Sequence, residues 1–542
     1  MRNIPLFLIG IFLFCGHIAH AVTAAPTSEQ IQRTMKTASQ FMLDKVSYRG
    51  GFVWSYLPDF SRQWGELEAR RSMIWMQPPG TASVGHLFLD AYHATGDEFY
   101  YTAAERVAGA IIYAQHPSGG WNYISDFAGE AALKEWYATI GKNAWRLEEF
   151  QHYYGNATFD DVGTAEAAKF LLRLYVEKRD SKYRPALDKS IHFILASQYP
   201  IGGWPQRFPL MYDHPYKDHA DYSSFITFND DVAAENIDFL LMCYQILGEA
   251  RVREPVIRAM NSFLVTQMGQ PQPGWALQYT PELVPAGARS YEPKSLHTPT
   301  TAENIQQLIK FYRMTGETKF LARVPEALAW LESLTLPTKP EYEGRSHPSF
   351  IELGTNKPLF THRRGANVSN GEYYVDYTPG NMLAHYKSAS TIDLAKLRAA
   401  YEEVLRLTPE EATANSPLKA MHNITLPKYF TLGKVSVSDL NFRAQKTPEA
   451  KNLTEQAVAL VTGLNRQGYW PTPLYYTTNP YKGIAPITKV TDDYAATMVG
   501  DEWDTSPYPV EDPVMGISTG AYVKNMGVLI QYLQQLQQQS AH

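Results

Sequence analysis

Two short acidic runs are the residues of this sequence best suited to chemistry. "ATFDDVGTAEAA" holds Asp160 and Asp161, and "ITFNDDVAAENI" holds Asn229, Asp230 and Asp231. Asp and Asn at a helix start often cap the helix by accepting hydrogen bonds from its free N–H groups. A cap needs only one carboxylate, however, whereas each run carries two, and both runs follow a Thr-Phe dipeptide. Clustered carboxylates repel one another unless a cation lies among them, and oxygen ligands of this kind predict a Ca²⁺ site.

Basic side chains are also grouped. "PAGARSYEPKS" holds Arg289 and Lys294, and "FTHRRG" holds Arg363 and Arg364. For each of these residues the alternative is an ordinary solvated surface charge. If these basic residues lie at the same opening as the acidic runs, the site suits an anionic polymer. The basic side chains would pair with carboxylates of the polymer, and a metal ion would bridge its other carboxylates to the acidic residues.

Other residue types give weaker signals. Trp121, Trp204 and Trp275 offer flat aromatic faces that could carry sugars, but their regular recurrence favours a packing role. His86 and His214 lack metal-ligand spacing and are interpreted as ordinary histidines. The sequence contains neither a glycine-rich phosphate loop nor a Gly-x-Ser-x-Gly nucleophile elbow.

The acidic runs stand at the starts of repeated helices. "TAEAAKFLLRLY", "AAENIDFLLMCY" and "TAENIQQLIKFY" align without a gap, and "TASVGHLFLDAY" joins them with Ser83 in place of their shared glutamate. Each has the i, i+3, i+4, i+7 apolar spacing of an amphipathic helix. A polar joint, a second helix and a Gly-Trp corner follow, where glycine ends the helix and permits a positive φ.

The first and last helices lack partners of their own. "EQIQRTMKTASQFMLDKV" is a helix of the second kind with none before it, and "GAYVKNMGVLIQYLQQL" has none after it. Pairing them would close the hairpins into a ring that leaves no apolar end exposed. We therefore predict a mostly α-helical fold, an α/α toroid of five or six hairpins, with an open α-solenoid as the alternative. A β-rich insertion is expected at about 337–390, where apolar and polar residues alternate between turn dipeptides.

Composition favours one large folded body. The chain has 542 residues, of which 44% are apolar and 19% charged, and a net charge of −6. It can therefore bury a sizeable core, and its overall charge does not favour nucleic acid as a partner. No linker interrupts the sequence, which predicts a single domain over residues 25–542, expected to be a monomer without a membrane span.

The first 24 residues have the form of an export signal. Arg2 supplies a positive charge, an apolar core runs from Leu6 to Ile18, and small residues offer a cleavage site. Removal of this signal would take Cys15 with it and leave Cys243 alone, which excludes an intrachain disulfide. We expect a secreted or periplasmic protein.

Five strings of the sequence resemble, in order, the pectate lyases of polysaccharide lyase family ten, also called the pectic acid lyases. They are "TFDDVGT", "ASQYPIGGWPQRFP", "SSFITFNDDVAAENIDFLL", "GWALQYTPELVPAGARSYEPKSL" and "NKPLFTHRRG", roughly within residues 155–380. The resemblance implies an α/α toroid that cleaves polygalacturonate, an acidic polysaccharide, by Ca²⁺-assisted β-elimination.

The family's motifs imply roles for individual residues. Asp160 and Asp230 match acidic metal or substrate ligands, and the adjacent Asp161 and Asp231 are expected to join the Ca²⁺ site. Arg289 matches the catalytic base. The residues expected to bind the substrate are Thr164, Asn229, Lys294, Arg363 and Arg364.

The sequence also departs from the family pattern. Asp161 stands where the family usually has Asn, Gly287 where it has Lys, and Tyr377 with Thr378 where it tends to have a Glu-Arg-Arg run. These departures bear on which polymer is cut more than on the reaction type. An arginine base is also demanding, because the unperturbed pKa of arginine lies far above neutral pH, and neighbouring cations and desolvation must lower it. The alternative role for Arg289 is a substrate clamp.

Two other functions stay open from the sequence. A glycoside hydrolase on the same toroid could use Asp160 and Asp230 as its two carboxyl groups. A non-catalytic protein could bind acidic glycans with neither a metal nor a base. Elimination would produce an unsaturated uronate that absorbs in the ultraviolet, whereas hydrolysis would not.

Overall fold

The computed structural model describes most of the chain. The described residues are 24–144, 147–211, 214–215, 219–364, 372–380, 382–383, 388–419, 424–442, 452–474 and 514–540. The predicted export signal, apart from Ala24, lies outside them.

Fifteen α-helices lie in the described ranges. They are α1 (Ser28–Phe41), α2 (Thr81–Thr95), α3 (Glu98–Ala114), α4 (Glu130–Thr139), α5 (Gly163–Lys178), α6 (Arg184–Ser197), α7 (Val232–Met242), α8 (Arg253–Thr266), α9 (Thr298–Thr315), α10 (Val324–Ser333), α11 (Leu394–Leu405), α12 (Pro409–Ala412), α13 (Val437–Phe442), α14 (Leu453–Gly463) and α15 (Thr519–Ser540). α1 and α7 continue as π-helical turns to Val46 and Leu247.

The helices form a closed ring of hairpins. α2 packs on α3, α5 on α6, α7 on α8 and α9 on α10, and the first helices of successive hairpins pack side by side from α2 through α5 to α7. The last helix, α15, contacts both α1 and α2 and so closes the ring. At this closure the hydroxyls of Ser39 and Tyr522 are hydrogen-bonded at 2.7 Å. The predicted α/α toroid is confirmed, and the open solenoid is wrong.

Short strands connect the helices in the described ranges. They are β1 (Ser55–Tyr56), β2 (Gln63–Trp64), β3 (Glu68–Ala69), β4 (Met73–Trp75), β5 (Ile124–Asp126), β6 (Ala157–Thr158), β7 (Arg207–Phe208), β8 (Ile226–Thr227), β9 (Gln278–Tyr279), β10 (Pro285–Ala286), β11 (Leu296–His297), β12 (His347–Pro348), β13 (Phe350–Ile351), β14 (Pro358–Arg364), β15 (Glu372–Asp376), β16 (Ala389–Ser390), β17 (Thr472–Leu474) and β18 (Val514–Ser518). β1 pairs with β18, Ser55 opposite Ser518, which adds a second seam to the ring closure.

The strands of the insertion are attached to the start of α9. β13, β14 and β15 extend an antiparallel sheet of order β11-β13-β14-β15, in which β11 lies outside the insertion and directly precedes that helix. Arg363 on β14 lies opposite Tyr373 on β15. The insertion is therefore fixed to the ring at one helix start and carries the predicted arginines on its longest strand.

The Gly-Trp corners pack neighbouring hairpins together. Gly119 and Gly202 have φ of +109° and +111°, and a Cβ on them would lie 2.2 and 2.1 Å from carbonyl oxygens of the next outer helix. Trp121, Trp204 and Trp275 are fully buried, and each indole N–H donates to a main-chain carbonyl of the preceding helix at 2.8 to 2.9 Å. These tryptophans are packing residues and not sugar platforms.

One large hydrophobic cluster underlies the ring. Its buried members run from Ile31 on α1 to Leu533 on α15 and include residues of the helices between them. Among the described residues, no helix is long and apolar enough to cross a membrane. The loops that precede the helices are therefore anchored to one continuous packed core, which fixes their positions.

Replacing Trp121 with alanine should destabilise the fold. The change removes a fully buried indole and its hydrogen bond, and truncation of a buried aromatic side chain costs about 3–5 kcal/mol. Denaturant unfolding should show this loss, with Trp121→Phe losing less. An unchanged free energy of unfolding together with weaker saccharide binding would restore the sugar-platform interpretation.

Candidate active site

Both acidic runs form the same unusual turn before a helix. Asp161 and Val162 precede α5 with φ of +49° and +51°, and Asp230 and Asp231 precede α7 with φ of +52° and +57°. This left-handed region is costly for side chains with a Cβ, above all for a β-branched valine. No side-chain cap hydrogen bond is made at either helix start. The helix-capping interpretation is therefore wrong, and packing of the helix starts does not explain why these carboxylates are present.

The left-handed pairs show which residues of the two runs are equivalent. Asp161 corresponds to Asp230, and Asp231 corresponds to a valine. The Asp231 side chain is 51% exposed and lies 3.6 Å from the Nζ of Lys434. Contrary to expectation, the structure does not bring Asp231 into the acidic group.

Asp161 and Asp230 meet at an open cleft of about 320 Å³. The cleft is lined by Glu66, Leu147, Glu149, Asp161, Asn229, Asp230, Arg289 and Tyr291. The two left-handed turns contact each other, so carboxylates from neighbouring hairpins share one space. Asn229, which is expected to bind substrate, also lines this cleft, and its Nδ2 donates to Asp230 at 2.7 Å.

Arg289 joins three carboxylates at this cleft. Its guanidinium is 2% exposed and lies 2.5 Å from Asp160 and 3.2 Å from Glu149. Glu292 is a third partner, 3.2 Å from the guanidinium and 2.8 Å from the main-chain nitrogen of Arg289. Charge-assisted hydrogen bonds of this kind orient a planar guanidinium. Arg289 is therefore held in place by the protein alone.

Asp160 is completely enclosed. Its Oδ2 accepts hydrogen bonds from the Tyr123 hydroxyl, from Gln206 at 3.0 Å and from Arg289, whereas its buried Oδ1 has no hydrogen-bond donor. Burial alone would raise the pKa of Asp160, but the charge of Arg289, together with the hydrogen bonds to this carboxylate and the charge of Arg207, holds the pKa below its usual value. A buried charged oxygen without a partner is costly, so Oδ1 is suited to meet a cation.

The neighbouring carboxyl groups shift in the opposite direction. Burial, and after it the charges of Asp160 and Glu149, raise the pKa of Asp161 to about 7. Burial and the adjacent Asp160 raise the pKa of Asp230 well above its usual value. Without a cation this group therefore holds protons near neutral pH, and a bound cation would displace them.

The raised pKa of Asp161 predicts how stability depends on pH. A carboxyl group whose pKa is higher in the folded state binds more protons there, so its contribution to stability falls as the pH rises from about 4 to about 7. Asp161→Asn removes this titration, and asparagine tolerates the left-handed backbone. In chelator, the variant should lose less stability than the parent as the pH rises. Unfolding measured across this range checks it, with Asp231→Asn as the matched control, and parallel curves for Asp161→Asn and the parent would contradict it.

Three buried glutamates of the site are not predicted by the sequence analysis. Glu149 and Glu292 hold Arg289, and Glu148 accepts the main-chain N–H of Ser290 at 3.0 Å. Burial raises the pKa of Glu148, and it raises that of Glu292 to about 7 against the lowering effect of Arg289. The available signal was an adjacent glutamate pair flanked on both sides by apolar residues.

Thr164 has a structural place. It is fully buried, its hydroxyl accepts the main-chain N–H of Trp121 at 3.0 Å, and it donates to the carbonyl of Thr158 at 2.6 Å. In another hairpin Thr301 accepts the N–H of Trp275 in the same way at 3.0 Å. These contacts give Thr164 a packing role, and its expected contact with substrate stays a prediction.

The predicted basic residues take different positions. Lys294 is exposed and does not belong to the described cleft lining. Arg363 is buried, with its guanidinium carbon 5.9 Å from the ring centroid of Tyr373, which lies 5.2 Å from that of Tyr291 in the cleft. The backbone of Arg364 lies on β14, and its side chain is outside the described residues. Arg363 is thus connected to the cleft through two aromatic rings.

The acidic donor set fits a hard cation by its chemistry. Asp160, Asp161 and Asp230 offer carboxylate oxygens, one of them without a donor, and their repulsion appears in the raised pKa values of Asp161 and Asp230. Within the described ranges, no group of three or more Asp, Glu, His or Cys is already arranged to hold a metal ion. Flexible oxygen ligands of this kind suit calcium, and they would have to converge when it binds.

A family model described as pectic acid lyase matches residues 126–373. The resemblance to the pectic acid lyases is thereby confirmed. The matched region contains both left-handed turns, Arg289 and the insertion through β14, and it ends within β15. By class the protein is a polysaccharide lyase. No curated protein matches the chain.

Solved structures with distant similarity include lyases and hydrolases. A family 10 polysaccharide lyase from Cellvibrio cellulosa aligns with 18% identity and a TM-score of 0.40, covering 60% of this chain and 98% of that one. A mutant of that lyase in complex with trigalacturonic acid aligns with 17% identity and a TM-score of 0.39, with the same coverage. An α-1,6-mannanase from Salegentibacter sp. aligns with 11% identity and a TM-score of 0.35, covering 94% of this chain and 99% of that one.

Proposed function

We propose that this protein cleaves polygalacturonate by calcium-assisted β-elimination and releases unsaturated oligogalacturonates. The observation that carries this proposal is the meeting of Asp161 and Asp230, from two hairpins, with Arg289 at one open cleft inside the matched region. The clustered carboxylates are suited to bind a cation, and a buried guanidinium lies beside them. This pair suits a substrate whose own carboxylates bind both the cation and the guanidinium.

β-Elimination from a 4-linked uronate transfers a proton and breaks one carbon–oxygen bond. A base removes the proton from C5, the electron pair of that bond forms the C4–C5 double bond, and the C4–O4 bond breaks. The leaving O4 stays bound to C1 of the neighbouring sugar, gains a proton and becomes the anomeric hydroxyl of a new reducing end. The carbanion-like state is accessible only when the charge of the C5 carboxylate is neutralised.

Three aspartates would hold the calcium ion, namely Asp160, Asp161 and Asp230. When bound, calcium neutralises the substrate carboxylate and so acidifies the proton on C5. Gln206 donates to Asp160 at 3.0 Å and Asn229 donates to Asp230 at 2.7 Å. These amides orient the two carboxylates, of which Asp230 lines the cleft and Asp160 is fully buried.

Arg289 is the candidate base, and its surroundings set a condition on that role. It can accept the C5 proton only in its neutral form, whereas the carboxylates of Asp160, Glu149 and Glu292 stabilise its charged form. The negative charge around it must therefore be balanced in the substrate complex. Protonation of Glu292, whose pKa burial raises to about 7, contributes to this balance.

We also place the protein outside the cytoplasm, as a secreted or periplasmic monomer. The export-signal pattern of residues 1–24 supports this location. An enzyme that acts on a long polyuronate meets its substrate there.

Removing divalent cations should abolish turnover, and calcium should restore it better than magnesium, because magnesium demands a stricter octahedral geometry. Asp230→Asn should reproduce the effect of chelator while keeping the left-handed backbone. Asp231→Asn changes the adjacent residue, whose side chain lies outside the group, and should leave turnover unchanged. Ultraviolet absorbance of the product measures each rate. Full activity in chelator would rule out the metal, and new reducing ends without absorbance would indicate hydrolysis.

Arg289→Lys should separate the base from the clamp. Lysine cannot reproduce the planar guanidinium or its position, so loss of a base should lower kcat by about 10²–10⁴-fold with little change in KM. Turnover of the parent should rise toward alkaline pH, since only neutral Arg289 accepts a proton. The exposed Lys294 provides the matched control as Lys294→Gln. A raised KM at nearly unchanged kcat would make Arg289 a clamp.

A further inference from the structure

A second cavity lies between the first helices of the hairpins. It measures about 470 Å³ and is bounded by α2, α5, α15 and residues 430–435. Polar side chains in its lining include Ser83, His86, Glu166, Lys169, Lys434 and Lys524. Among the described residues, its lining shares no member with that of the cleft. Its volume lies in the range of small-molecule sites, about 300–1,000 Å³.

One wall of this cavity is fixed by a buried ion pair. Asp90 accepts the main-chain N–H groups of Phe430 and Thr431 at 2.9 and 2.7 Å and pairs with Arg173 at 2.6 Å. Arg173 also donates to the carbonyl of Lys428 at 2.5 Å, and its guanidinium carbon lies 4.4 Å from the ring centroid of Phe430. Residues 428–431, which are distant in sequence, are thereby fixed to α2 and α5 and form an ordered wall of the cavity.

His86 is a buried polar side chain that lines this cavity without a hydrogen bond. It is 2% exposed, and neither ring nitrogen has a hydrogen-bond partner. Its Nε2 lies 3.6 Å from Oε2 of Glu166, which also lines the cavity. Burial, and after it the charge of Arg173, lower the pKa of His86 well below its usual value. The neutral ring therefore offers one donor and one acceptor to whatever occupies the cavity.

The lysines of the cavity differ in how far their charges are already paired. Lys169 and Lys434 share the Glu235 carboxylate, the latter at 2.9 Å. Burial alone would raise the pKa of Glu235, but the charges of these two lysines lower it to about 2. Lys524 is exposed and forms no ion pair with the residues that the structure describes. The cavity thus presents one uncommitted ammonium group together with groups that bind hydroxyls.

We propose that this cavity binds a small polyhydroxy carboxylate, the size of one or two sugar-acid units. The carboxylate lies at Lys524, and the hydroxyl groups lie between His86 and Glu166. Hydroxyls both donate and accept, which matches a neutral imidazole beside a carboxylate. The choice of uronates as the source rests on the proposed function, since elimination in the cleft would release short acidic sugars. Other sugar acids share the same chemistry.

Calorimetric titration of the mature protein in chelator tests this site with galacturonate, digalacturonate, gluconate and neutral galactose. Lys524→Gln should weaken binding of the acids about tenfold, the loss of one charge-assisted contact of about 1.4 kcal/mol, and leave galactose unchanged. His86→Phe should weaken both classes of ligand. Gluconate binding as tightly as galacturonate would identify a general sugar-acid site, whereas preference for the uronates would identify the cleavage products.

The cleft provides the matched control for this experiment. Arg289→Lys should bind the small acids as the parent does. If no acid binds, or if Arg289→Lys abolishes binding while Lys524→Gln retains it, the cavity is not the site. Turnover of polygalacturonate measured in parallel keeps the two proposals separate. Lys524-dependent binding without turnover would refute only the proposed reaction, and turnover without such binding would refute only the cavity site.

Discussion

The arrangement of the cleft depends on the balance of charge around one buried guanidinium. Arg289 is joined to Glu149 and Asp160, from two other segments of the chain, and to Glu292 on its own loop. Removing a partner from a buried charged group is strongly destabilising, because the remaining charge is left without compensation. These segments are therefore held to one another by ion pairs as much as by apolar contacts. Further carboxylates line the same cleft. The folded site therefore has fewer positive than negative groups and is suited to bind additional positive charge.

Repetition in this ring serves two different purposes. The corner tryptophans recur because each hairpin must pack on the next, and their buried indoles leave no face for a ligand. The left-handed turns at Asp161 and Asp230 recur although they strain the backbone. A strained turn that leaves its carboxylate uncapped is better explained by the chemistry of the cleft than by packing. Burial and backbone geometry, rather than recurrence itself, distinguish the two cases.

The fold could be predicted from the sequence because stacked amphipathic hairpins have few ways to bury their faces, and the unpaired first and last helices indicated closure. The group formed by Asp160, Asp230 and Arg289 could be predicted from motifs. The outward position of Asp231 could not, because it depends on which two residues of the turn are left-handed. Glu149 was missed because its burial depends on contact with an arginine distant in sequence.

The closure of the ring by α15 affects when the protein can fold. α15 packs against α1 and α2 and β18 pairs with β1, so elements nearly five hundred residues apart must meet. Until α15 is synthesised, the apolar faces that it covers on α1 and α2 stay exposed, and contacts of such long range form slowly. The nascent chain would then remain incompletely folded throughout synthesis. This state is compatible with export as an unfolded polypeptide. It also requires protection from aggregation until α15 docks.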